Sequence, residues 1–259
     1  MLTRAIIIKK QNTNEYDQWI TCYTEEFGKL RTIAKSILKP SSIQAMHLDV
    51  FNLVDFELIN GRGMSIITGA QAISSFPGVK NSLAKTAMAY FFAEAIDKLT
   101  PEYQKDGALW KFLSSLYCEL NELTGQKWDD IELADIVPIF SVEDGVKNRG
   151  SAIRSERIRA SHSIWRGVLA DKQVELLKIL GYAPHLKECV FCAEKISAFL
   201  ASYNTQAGGM VCKDCFLNGR GGIVIKNGEW KDINVLGSIF ENLAEKNFYS
   251  LNFLKTVIK

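Results

Sequence analysis

The stretch HLDVFNLVDFELINGRGMSIITGAQAI, residues 47–73, decides the fold. Two runs of β-branched and aromatic residues flank Asn60-Gly61-Arg62-Gly63, and neither keeps a helical spacing. Asn and Gly accept the backbone angles that reverse a chain, so the stretch reads as two strands joined by a tight turn. Toward the N-terminus lie three further runs, TRAIIIKK (3–10), QWITCYTEEFG (18–28) and KLRTIAKSI (29–37), the last broken by PSS at 40–42. Five strands before residue 76, without helical periodicity, predict a small closed barrel. The OB-fold is the commonest barrel of this kind that binds single strands.

Beyond residue 75 the period changes. Leu83, Ala87, Tyr90, Phe91, Ala95 and Leu99 recur at helical spacing, with Ser82 placed as N-cap and Pro101 as stop. GALWKFLSSLYCELNELT (107–124) predicts a second amphipathic helix, whereas Pro138, Gly145 and Gly150 mark 125–150 as irregular. A third helix, from Ile153 or most clearly over KQVELLKIL (172–180), ends at Gly181. NVLGSIFENLAEKN (234–247) forms a tail helix. The fold class is therefore α+β: an OB-fold barrel over 1–78, then a helical domain over 79–259 with a cysteine module embedded at about 186–222.

The chain has 259 residues, nearly half apolar, enough for a sizeable core. No run approaches the roughly 18 apolar residues of a membrane span, and the N-terminal run closes at Lys9-Lys10 without a signal-peptide cleavage site, so a cytoplasmic protein without a membrane partner is expected. Net charge is only +2, but its distribution is uneven. Residues 81–146 carry five basic against twelve acidic side chains, and 147–200 carry ten against five. A polyanion must then be gripped by local patches rather than by the whole surface.

Four of the six cysteines stand as two Cys-x-x-Cys pairs, Cys189/Cys192 and Cys212/Cys215, separated by nineteen residues. That spacing suits a structural zinc ion held by four thiolates, and ISAFLASYNTQAGG (196–209) can run out and back as a hairpin turning near Asn204 or near Gly208-Gly209. A metal-free remnant and a redox or other-metal site are the remaining readings. Disulfides are disfavoured in a reducing compartment. Four Cys leave no open coordination position, which argues against Lewis-acid catalysis. His185 reads as a packing or surface residue, and Cys22 and Cys118 as buried thiols. No P-loop, GxSxG or strand-borne GxGxxG is present, and the chain has three His, so no enzyme is predicted and no catalytic residue is assigned.

An extended reading of FGKLRTIAKSILKP (27–40) puts Lys29, Arg31 and Lys35 on one strand face, with Lys39 following. A basic strand face is how an OB barrel tracks a phosphate backbone, and Tyr16, Trp19, Tyr23 and Phe27 lie close enough in sequence to stack bases or to fill the core. In KNRGSAIRSERIRASHSIWR (147–166), Arg154 and Arg157 share a helical face and offer two converging guanidinium groups.

Three motifs together resemble the bacterial DNA repair protein family RecO: YTEEFGKLRTIAK (23–35), LLKILGYAPHLKECVFC (176–192) and AGGMVCKDC (207–215), supported by the hairpin LINGRGMSIITGAQAISSFPG (58–78). The resemblance implies an N-terminal OB-fold, a helical domain with a zinc module, and a non-enzymatic recombination mediator working at the nucleoid. Such a protein binds and anneals single- and double-stranded DNA, engages the C-terminal tail of the single-strand-binding protein SSB, and with RecR helps load RecA. It implies structural Zn2+ on Cys189, Cys192, Cys212 and Cys215, and it aligns Lys29 with the family motif. After this strand the chain reads AKSILKPSS, offering only Lys35 and Lys39 where the family often has a glycine-arginine-rich turn. The rival expectation is a zinc-containing protein–protein adaptor without intrinsic DNA binding.

Overall fold

The computed structural model describes residues 2–61, 63–123, 165–183, 185, 187–196, 200–226 and 233–258. The chain divides into two compact units, Met1–Leu123 and Thr124–Lys259. In the first unit β1 (Leu2–Asn12), β2 (Gln18–Thr24), β3 (Gly28–Ala34), β4 (Leu53–Asn60) and β5 (Ser65–Ser74) close into a barrel in the order β1-β2-β3-β5-β4. Neighbours are antiparallel except β3 and β5, where Ile33 pairs with Ile66 and Ala34 with Ile67 in parallel. The barrel is OB-like, as the five apolar runs predict. Its β4–β5 turn falls where Asn60 and Ser65 pair.

Alternation explains the barrel core. Ile20 and Cys22 on β2, Leu30 and Ala34 on β3, Val54, Phe56 and Leu58 on β4 and Ile67 on β5 all point inward. Strand β1 breaks the pattern: Ala5 and Ile7 enter the core, yet Ile6 and Ile8 are also buried. The reason is the helix α2 (Leu83–Leu99), which lies against the outside of β1. A strand covered on both faces needs a continuous apolar run, and Ala5-Ile6-Ile7-Ile8 supplies it.

The unit also holds α1 (Pro77–Lys80) and α3 (Gly107–Glu122). Helix α2 begins after Ser82 and stops one residue before Pro101, at Thr100, as expected. Asp106 caps α3, its carboxylate accepting from the amides of Ala108 (2.8 Å) and Leu109 (3.2 Å). Phe51, between β3 and β4, packs its ring against Tyr90 of α2 (4.7 Å) and Tyr117 of α3 (5.6 Å). Cys22 is buried in the barrel, where burial pushes its thiol well above the usual range. Cys118, expected to be buried, is exposed, because Leu116, Tyr117 and Leu120 take the inward face of α3.

The second unit contains α4 (165–179), after which Gly181 adopts φ +81°, then the cysteine module, α6 (Ile233–Ala244) and α7 (Tyr249–Val257). The beginning of the third predicted helix and the region 125–150 lie outside the described residues. Trp165, Leu169, Leu176 and Leu177 of α4, Leu236 and Phe240 of α6, and Leu251 and Leu254 of α7 are buried. Arg166 Nε donates to the carbonyl of Ile258 at 3.2 Å. Among the described residues no helix is long and apolar enough to cross a membrane.

Candidate metal centre and nucleic-acid surface

The module is built around a sheet of β6 (Leu200–Asn204), β7 (Gly209–Val211) and β8 (Ile223–Lys226) in the order β7-β6-β8. Strands β6 and β7 form the hairpin expected between the cysteine pairs, turning over residues 205–208. Asn204 Oδ1 accepts from the amide of Ala207 at 2.9 Å, and Gly208 takes φ +71°. Next to it, a Cβ on Gly209 would strike Val190 and His185, because the first cysteine loop lies directly on β7. The chain keeps that loop there through Val190 N to the carbonyl of Met210 (3.0 Å) and Met210 N to the carbonyl of His185 (2.8 Å).

Each cysteine pair sits in a tight turn. In the first, Cys189 N donates to the carbonyl of Glu194 (2.8 Å) and Ala193 N to the carbonyl of Cys189 (2.9 Å), with Ala193 at φ +59°. In the second, the single helical turn α5 (Lys213–Cys215) is capped by Cys212, whose sulfur accepts from the amide of Cys215 at 3.5 Å. The four Sγ atoms of Cys189, Cys192, Cys212 and Cys215 lie within 4.8 Å of one another, and Cys192 and Cys212 approach to 3.6 Å. Such a cluster can hold a metal ion. Burial works against charge on Cys189, yet the amides of Cys212, Phe191 and Cys192 and the Cys192 side chain outweigh it and draw its thiol down to about 6. Burial, with the neighbouring sulfurs of Cys192, Cys212 and Cys189 adding to it, pushes the Cys215 thiol up to about 12. Thiol ligands give up their protons when a cation binds, so occupancy of such a cluster depends on pH. His185 is exposed and lends the module only its backbone.

The barrel face treats the predicted cations differently. Lys29 is not on the surface: it is 7 % exposed, and its Nζ donates to the carbonyl of Asp97 in α2. Burial lowers its pKa, opposed by Asp97 and Glu102. The neighbouring backbone explains the position. A Cβ on Gly28, at φ +69°, would collide with the carbonyl of Gln104, and Tyr103 N donates to the carbonyl of Lys29 at 2.9 Å. Residues 102–104 thus lie flush against β3 and bury what alternation would have exposed.

Arg31, Lys35 and Lys39 are exposed. The Arg31 guanidinium stands 4.5 Å from the centre of the Trp19 ring, and Lys39 Nζ stands 5.3 Å from that of Tyr16. Hydrogen bonds hold the β1–β2 loop that carries Tyr16. Asn14 Oδ1 accepts from the amides of Tyr16 (2.9 Å) and Asp17 (2.7 Å), Asp17 Oδ1 accepts from Ser36 N (2.6 Å), and Leu38 N donates to the carbonyl of Tyr16 (3.0 Å). The Ser36 amide, then Asn14, with help from Lys35 and Lys39, holds the Asp17 carboxyl below its usual range. Of the other aromatics, Tyr23 is buried and Phe27 packs against the barrel core. Arg154 and Arg157 lie outside the described residues. The sequence reading did not find β8, α7 or the loop Phe216–Arg220 that follows the last cysteine; only the β-branched Ile223-Val224-Ile225 run signalled the first of these.

The described residues thus combine an OB-like barrel bearing aromatic–cation pairs with a helical unit whose four-cysteine cluster could hold a metal ion. Residues 1–76 match the domain described as Recombination protein O N terminal, and residues 156–249 match Recombination protein O C terminal. The DNA repair protein RecO of Dehalococcoides mccartyi is 27% identical over 82% of this chain and 69% of its own length. That of Desulfitobacterium hafniense is 23% identical over 97% and 76%, and that of Acetivibrio thermocellus 24% over 98% and 96%. The chain belongs to the RecO family, with a role in DNA repair and recombination.

Proposed function

We propose that this chain is a non-enzymatic recombination mediator that binds and anneals DNA and, with RecR and SSB, helps load RecA onto single strands. The barrel, residues 1–78, grips the strand, and the helical part, 79–259, receives the protein partners, including the acidic C-terminal tail of SSB. Arg154 and Arg157 add a second basic contact from the helical part. The ion of the cysteine module is zinc: Cys189, Cys192, Cys212 and Cys215 hold it, it supplies folding energy rather than chemistry, and four thiolates leave no position for substrate. The setting is the bacterial cytoplasm at the nucleoid.

The observation that carries the DNA reading is the pair of aromatic–cation contacts, exposed Arg31 on half-buried Trp19 and exposed Lys39 on exposed Tyr16, on the β2–β3 side of an OB-like barrel. Arg31, Lys35 and Lys39 neutralise about three phosphates, which gives a salt slope of about −2 for a single strand. A labelled oligothymidylate titrated at about 50 and about 200 mM salt should therefore bind roughly fifteenfold more weakly at the higher salt. The double variant Arg31→Ala/Lys39→Ala should lose more than half of that slope. The adaptor reading draws on the burial of Lys29 and on exposed Ile43 (81 %) and Met46 (74 %). It takes over if the chain binds no oligonucleotide at the lower salt.

A further inference from the structure

The cysteine pairs present more than their sulfurs. In the first turn Val190 packs against the small core of Cys189, Val211 and Cys212, which leaves the adjacent Phe191 facing out, 38 % exposed. The loop Phe216–Arg220 brings the Arg220 guanidinium to 5.3 Å from the centre of the Phe191 ring. That loop is fixed at both ends. Phe216 N donates to the carbonyl of Cys212 at 2.9 Å, and the Asn204 amide donates to the carbonyl of Gly221 at 3.2 Å. Leu217, 70 % exposed, stands on the same loop. Phe191 is not among the side chains of the module's small core, and its ring instead lies beside Arg220 with part of its surface open to solvent.

We infer that the cysteine module is a second contact for single-stranded nucleic acid, with Phe191 as a stacking platform for a base and Arg220 as its cationic partner. The inference rests on the DNA-binding reading of the barrel, and it assigns to the module a role beyond metal-held scaffolding. The arrangement resembles that of Trp19 and Arg31, where a guanidinium also stands over an aromatic ring from a neighbouring segment, although the Trp19 ring is half-buried and Phe191 more open. The open ring face, rather than net charge, selects the ligand class. The exposed cations Lys187, Lys195 and Lys213 are matched by Glu188, Glu194 and Asp214, and four thiolates around a divalent ion add net negative charge. An acidic peptide finds no excess of positive charge there. A base needs none, since every base has a π-face and stacking tolerates sequence. A duplex keeps those faces covered, so the contact favours single strands.

Photocrosslinking with an oligonucleotide carrying iodouracil tests this on the full, metal-loaded chain. The expected crosslinks map to Phe191 as well as to the barrel aromatics. Phe191→Leu should weaken oligonucleotide binding about tenfold with the salt slope unchanged. Arg220→Gln should lower the slope by about 0.7. Metal content equal to that of the parent chain certifies each variant's fold. If Phe191→Leu fails that control, the crosslink map of the parent chain and Arg220→Gln decide. Salt-dependent binding with crosslinks confined to the barrel, and both variants binding like the parent, overturns the inference and leaves the barrel reading standing. No binding by the parent chain at low salt removes the barrel reading itself, and the inference with it.

Discussion

The barrel and the cysteine module each fix an aromatic ring beneath a guanidinium, but by opposite means. The barrel rests on a dozen buried side chains, among them Phe56, Leu48 and Ile20. The module buries Cys189, Val211 and Cys212, with Val190, Ile196 and Cys215 packed beside them, and Tyr203, Met210 and Ile225 in its sheet. At about 25 cal/mol per Å2 of apolar surface, so few side chains cannot offset the cost of ordering the backbone around them, roughly 1–2 kcal/mol per residue. The ion proposed for the four sulfurs would make up the shortfall. The lesson is that a surface of the same chemistry can be held by apolar burial where the chain is long enough to close a barrel, and by coordination where it is not.

The sharpest way to break this comparison is to remove the ion. Structural zinc supplies on the order of 10 kcal/mol at neutral pH. Chelation, or Cys189→Ser with Cys212→Ser, should therefore abolish amide protection across residues 187–226 in hydrogen exchange while β1 to β5 keep theirs. Ligand thiols must lose protons to bind, so the chelator concentration required should rise from pH 6 to pH 8. Amides of β6 and β7 that stay protected after metal loss would show that the module folds on its own core.

The complementary change strikes the barrel. Phe56 is 1 % exposed, and Phe56→Ala should cost about 3–5 kcal/mol through lost burial and the cavity left behind. Hydrogen exchange of the β1 to β5 amides in urea reads that loss, and metal content should stay at the parent level. Parallel loss of the metal would mean that the two units do not hold themselves together independently.

What could be read from sequence divides along the same line. The four cysteines announced their cluster because two residues between each pair already impose the turn, and the run 196–209 announced a hairpin turning near Asn204 or near Gly208-Gly209, which turns over residues 205–208. The barrel strands were legible because burial follows alternation. Lys29 was misplaced by that same rule: alternation assigns a residue to the outer face, but not what covers the outer face. Here residues 102–104 cover it, a long-range contact with no periodic signature. Cys118 failed for the converse reason, since one position on a helix turns from core to solvent with a shift of about 100°. Phe191 was invisible because a hydrophobic residue between two ligands reads as filler until its neighbour Val190 is seen to take the inward place.

The smallest expected effect separates charge from packing within the barrel unit. Asp49 receives Lys10 Nζ at 3.1 Å and Lys80 Nζ at 3.0 Å, tying β1 to α1 through a side chain that is 47 % exposed. Burial raises its pKa, but the hydrogen bonds from Lys80 and Lys10 and their charges prevail and hold the carboxyl below its usual range. A carboxylate whose folded pKa is depressed stabilises the fold above its unfolded pKa of about 3.9, and that stabilisation is lost as pH falls through the folded value. Asp49→Asn should accordingly cost less than about 1 kcal/mol, because half-exposed pairs are screened by water and salt. The gap between parent and variant in urea midpoint should be flat from pH 8 to pH 5 and close below about pH 4. A gap that persists at pH 3 would assign Asp49 a packing role, and the barrel's dependence on burial alone would then be even more complete than its core implies.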